Sequence, residues 1–170
     1  MYFQGIAETL WDRVREGYPL FPSEMFSPET IFSVGNSTAL IGWVILLFLP
    51  RRFFPVIWIP HFVIPTLLGL AYAMLLLSSF ASTDGNFSSI EGVRSLFADD
   101  RALTAGWLHY LAFDLFVGSW IALEADKIGV PRIIQAPIFL ATFMFGPVGL
   151  VIFMVLKTTA GWKTNRESAV

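Results

Sequence analysis

A chain of 170 residues, 55% hydrophobic and only 14% charged, cannot cover itself with the polar shell that a soluble domain of this size needs. A formal net charge of -2 excludes a broad basic surface, so no nucleic-acid partner is expected. With no cysteine, disulfides, thiolate metal sites and a cysteine nucleophile are excluded together.

The opening Met1-Tyr2-Phe3-Gln4-Gly5 reads as the remnant of a tag-protease site. Charges interrupt the apolar residues from Ile6 to Tyr18, so no cleavable signal peptide is expected there. Trp11 to Tyr18 suits a short interfacial helix, or equally an ordinary loop. A spanning helix takes roughly 20 apolar residues, and four stretches qualify. They run from about Glu29 to Leu49, Pro55 to Phe80, Arg101 to Leu123 and Gln135 to Leu156. Ser27-Pro28-Glu29 marks the first start, and Asp99 or Asp100 caps the third. The expected fold is all-α, a polytopic four-helix transmembrane bundle over residues 29–157. An N-terminal segment (1–28) precedes it and a tail (158–170) follows.

Four spans place both termini on one side, here side B, with the long loop from Ala81 to Asp100. A second interfacial helix is expected at Ser89 to Phe97. Side A holds the short loops, with Arg51, Arg52, Lys127 and Arg132 close together. Side B holds more basic residues, spread thinly, so the positive-inside rule leaves the orientation open. Glu124, Asp126, Lys127, Arg132 and Gln135 meet Arg51 and Arg52 across side A, as a polar cap of ion pairs if buried and otherwise, the favoured reading, as a solvated interface worth little.

Polar residues within spans are costly and mark a site by default. They are Asn36, His61, Thr66, His109, Tyr110 and Asp114. Asp114 lies about halfway along its helix, too deep to reach bulk water, and so requires a partner, a proton or a wet cavity. Counting about 1.5 Å per residue puts His61 near the level of Asp114, and His109 near that of Asn36. Tyr110, Asp114 and Gly118 share one face of the third helix. His109 points roughly 140° away from Asp114, in a stripe with Phe113, Phe116 and Trp120 that reads first as packing and second as a ligand wall. Trp43 and Trp107 lie deeper than interfacial anchors and are further candidates for a lining. Pro60 and Pro65 flank His61 and should open its helix locally; Pro137, Gly146, Pro147 and Gly149 disturb the fourth stretch. No phosphate loop, zinc motif or Ser-His triad is present, and no metal site is expected. His61 and His109 differ in depth by roughly 8–10 Å, which disfavours a bis-histidine haem but leaves a haem on one histidine, or a His-plus-Asp metal site, as minority readings.

The run Trp107-Leu108-His109-Tyr110-Leu111-Ala112-Phe113-Asp114-Leu115-Phe116-Val117-Gly118-Ser119-Trp120 is continued by Glu124-Ala125-Asp126, Pro131-Arg132 and Phe145-Gly146-Pro147-Val148-Gly149-Leu150. Together these resemble the bacterial and plastid membrane proteins related to the plant factor for neoxanthin synthesis, named for abscisic acid deficiency. The resemblance covers nearly everything after about residue 27. It implies carotenoid chemistry, either isomerisation of an epoxy-carotenoid or oxidative conversion of a carotene, with a carotenoid as substrate or ligand. Non-catalytic carotenoid binding or photoprotection, and a mere assembly or transport bundle, are the competing readings. For epoxide opening, Asp114 suits a proton donor, and His109 or His61 a base. Asn36, Trp43, Trp107, Tyr110, Phe113, Gly118 and Trp120 are the expected contacts to a polyene. The bilayer is the expected surrounding, a bacterial inner membrane the expected location, and a homo-oligomer is left open.

Overall fold

The computed structural model describes residues 27–51, 54–80 and 85–159. The interfacial segment expected at Trp11 to Tyr18 and the tail beyond Thr159 lie outside them. All regular structure among the described residues is helical. The first helix, α1, runs Pro28–Phe48. The Ser27 side chain accepts the Thr30 N–H at 3.2 Å, and Pro28 enters where its missing donor costs nothing. At about 1.5 Å per residue α1 is roughly 31 Å long, enough to cross from side B to side A.

The return helix begins as α2 (Phe54–Trp58), passes through a π-helical turn (Ile59–Val63), and continues as α3 (Ile64–Phe80). Neither Pro60 nor Pro65 can donate a backbone hydrogen bond, so the ladder slips. The Ile64 N–H reaches back five residues to the Ile59 carbonyl. The opening expected around His61 is therefore a π-bulge, which spares the rod a break. On side B the short helix α4 (Ile90–Leu96) is capped by Ser89, and it exposes Ile90 beside Phe87 and Phe97. A short helix therefore stands where the sequence suited either an interfacial helix or an ordinary loop.

The central element is α5, Asp100–Lys127. Asp99 caps it, accepting the Arg101 and Ala102 N–H groups at 2.9 and 3.0 Å. Its buried positions include Ala105, Ala112, Gly118, Ser119, Ala122 and Ala125. Small residues let neighbours approach closely, which is how helices associate where lipid offers no hydrophobic drive. Trp43 of α1 lies directly over Gly118, where a Cβ would strike its ring.

The last apolar stretch is where the fold departs from four spans. It forms two shorter helices, α6 (Arg132–Phe145) and α7 (Pro147–Thr159), separated at Gly146 with φ 47°. At about 1.5 Å per residue each is roughly 20 Å long, short of a core of about 30 Å. Their contacts with α5 show the chain reversing. Descending from side A, Gln135 donates to Asp126, Tyr110 donates to the Phe143 carbonyl, and Gly146 reaches Asp114. Ascending again, Phe153 meets Trp120 and Lys157 pairs with Glu124 at 2.9 Å. The pair is a re-entrant hairpin entering and leaving on side A. Three helices are long and apolar enough to cross a membrane: Pro28–Phe48, Val56–Ser79 and Asp100–Lys127. The fold is an all-α integral membrane bundle as expected, with its fourth member folded back on itself.

The side-A charges form a buried clasp where a solvated interface was expected. The Arg51 side chain is 3% exposed. It donates to the Ala122 carbonyl at 3.0 Å and to Gln135 Oε1 at 2.6 Å, and pairs with Asp126 at 3.1 Å. Gln135, fully buried, donates onward to Asp126 and to the Val130 carbonyl. Burial pulls the guanidinium pKa down and Asp126 pulls it back up; arginine remains charged. The clasp ties the α1–α2 connection to the start of the hairpin.

Candidate functional site

A groove of about 540 Å³ lies between the α2–α3 rod and α5. One wall is His61, Phe62, Pro65, Thr66, Gly69 and Tyr72; the other is His109, Ala112, Phe113 and Phe116. The first set recurs at helical spacing, so one face of the rod supplies it. Phe62, Phe113 and Phe116 are exposed, which in a spanning helix means exposure to lipid. Counting from His61 to Tyr72 gives a length of roughly 16 Å along the rod. Gly69 leaves a notch, since a Cβ built there meets nothing within 4 Å.

Both histidines belong to this groove, at opposite ends. The His61 ring stacks on Phe116 with centroids 4.8 Å apart, and its Nδ1 lies 2.7 Å from Ser119 Oγ. His109 stacks on Phe113 at 4.6 Å and tilts against Tyr72 at 5.4 Å. Phe116 and His109 are two turns apart on α5, so the histidines stand about 10 Å or more apart along the helix. That separation does not suit two axial ligands of one haem. No cluster of three or more His, Asp or Glu side chains is found among the described residues.

Asp114 is elsewhere. It is 8% exposed and turned toward the hairpin reversal. A Cβ on Gly146 would lie 2.5 Å from its Oδ1. Two unfilled needs meet there: the last carbonyls of α6 and the first N–H groups of α7. Tyr110, one turn before Asp114, gives its hydroxyl to the Phe143 carbonyl at 3.4 Å. The Asp114 carboxyl sits beside the N-terminal end of α7, where the helix dipole favours negative charge. Its Oδ2 is buried without a hydrogen-bond partner among the described residues. The shared face of Tyr110 and Asp114 therefore serves the broken helix. The pairing of His61 with Asp114 expected from depth is not formed; Ser119 takes that place. Nor does Asn36 meet His109: it accepts from Trp107 Nε1 at 2.9 Å. An acid–base centre joining Asp114 to a histidine is not assembled.

Of the residues expected to contact a polyene, Phe113 lines the groove. Trp43 is core, set between Gly118 and Phe143. Trp107 stacks on Phe32 and Tyr110, and Trp120 packs on Phe153 below the Lys157 ammonium. Phe62, Pro65, Gly69, Tyr72, Ala112 and Ser119 were missed. The face-sharing of positions 61, 65, 69 and 72 could have found three of them, but only their placement opposite α5 shows that this face is not simply packed.

No curated protein and no solved structure matches the chain. Residues 30–153 match the family described as ABA DEFICIENT 4-like, a span that takes in every wall of the groove, the clasp and the hairpin reversal. The chain belongs to the ABA DEFICIENT 4-like family.

Proposed function

We propose that this protein works in carotenoid metabolism, holding a carotenoid in the groove between the α2–α3 rod and α5. The observation that carries the reading is the groove itself: apolar, aromatic-walled, open to lipid at membrane depth, with a histidine at each end. A polyene dissolved in the bilayer enters sideways, and aromatic faces hold it as apolar pockets hold flat ligands. The family supports the same reading, since its resemblance implies neoxanthin-type chemistry. Isomerising an epoxide to an allene conserves all atoms; one proton arrives at oxygen and one leaves carbon. His61 and His109 are the imidazoles of the groove wall, and an imidazole can take a proton and return it. A bacterial inner membrane is the location this reading takes.

The test is pigment analysis of a carotenoid-producing host with and without the gene, alongside the visible spectrum of the purified protein. A changed carotenoid profile and a three-banded bound spectrum are expected. Gly69→Leu should abolish both, because a Cβ there enters open space and the remaining side chain extends into the notch. Bound pigment with an unchanged profile would reduce the role to binding or photoprotection. Neither pigment nor profile change would refute the reading.

A further inference from the structure

The His61 end of the groove is chemically preset, and the partner that presets it is Ser119. This serine is fully buried on α5. Its hydroxyl has one proton and two acceptors in reach, the Phe116 carbonyl one turn back at 2.8 Å and His61 Nδ1 at 2.7 Å. Given to the carbonyl, that proton leaves Nδ1 to donate and the serine oxygen to accept. A neutral imidazole protonated at Nδ1 carries its lone pair at Nε2. The ring cannot turn over freely, because it lies flat on Phe116 and edge-on to Phe62 at 4.3 Å. No protein atom among the described residues hydrogen-bonds Nε2, and His61 lines the groove. At the far end His109 makes ring contacts only among the described residues, and none of these fixes a tautomer.

We infer that Ser119 is a positioning residue that holds His61 as the Nδ1–H tautomer, and that the groove takes an apolar ligand bearing a hydroxyl or other hydrogen-bond donor at its His61 end. An acceptor left bare in lipid gains most from a donor that enters with the ligand. The ligand half of this inference rests on the carotenoid reading; the tautomer half does not.

The experiment has two arms on the purified full chain in detergent. Nitrogen-15 NMR of the histidine rings should show His61 protonated at Nδ1, and Ser119→Ala should shift it toward the Nε2–H form. Binding is compared for β-carotene and its dihydroxylated counterpart. The diol should bind about ten-fold more tightly, the worth of one hydrogen bond in an apolar site. His61→Phe should shrink that preference, read as the ratio of the two affinities within the same variant; the phenyl ring keeps the stack on Phe116. An Nε2–H tautomer in the unaltered protein overturns the role of Ser119. Equal binding of both polyenes, or a preference that survives His61→Phe, overturns the ligand class and leaves the carotenoid reading standing. Binding of neither polyene overturns the carotenoid reading and the ligand class together, with the tautomer still decided by the spectrum.

Discussion

If α6 and α7 form a re-entrant hairpin, Thr159 lies on the same side of the membrane as Lys127 and opposite Ser88. The chain has no cysteine, so single cysteines at these positions report one site each. The lengths decide what to expect. One continuous helix from residue 132 to 159 would be about 42 Å long and would carry Thr159 across to Ser88. The observed half-helices, roughly 20 Å each, reach Asp114 and return. The hairpin also reassigns charge. Lys157 joins Arg51, Lys127 and Arg132 on side A, against Arg94 and Arg101 on side B among the described residues. The positive-inside rule then makes side A cytoplasmic. A membrane-impermeant maleimide added to intact cells should label Ser88→Cys alone; Lys127→Cys and Thr159→Cys should react only after permeabilisation. Labelling of Thr159→Cys together with Ser88→Cys refutes the hairpin. Labelling of Lys127→Cys and Thr159→Cys from outside, with Ser88→Cys protected, refutes the orientation and keeps the hairpin.

Gly146→Ala forces a side chain into left-handed backbone and toward the Asp114 carboxyl, and should cost about 2 kcal/mol or more, read as a lowered melting temperature in detergent. Arg51→Met strips the clasp of its cation and leaves Gln135 without its donor; a loss of about 2–3 kcal/mol is expected, tempered because Asp126 is 41% exposed. Thermal unfolding near the unaltered value would show the clasp to be idle. Asp114→Asn preserves shape beside the reversal and lies off the groove, so bound-pigment spectrum and product profile should be retained. Loss of product with pigment still bound would return that carboxyl to the chemistry.

Sequence alone determined the membrane class, three spans and most caps, because apolar length and Ser, Asp and Pro at helix starts act locally. It also determined that Tyr110 and Asp114 share a face and that His109 points away from Asp114, since helical periodicity is fixed by backbone geometry. Tertiary structure decided whether the Gly146-Pro147 break bends the chain or reverses it. Hydropathy counts apolar residues and carries no direction, and the reversal depends on Tyr110 and Asp114 of another helix meeting the freed backbone. It likewise decided that Arg51 is buried, because that burial is made by Ala122, Asp126 and Gln135, distant in the chain. Ser119 escaped notice for a related reason: a helical serine bonding its own backbone looks ordinary until a histidine from the opposing rod is set against it.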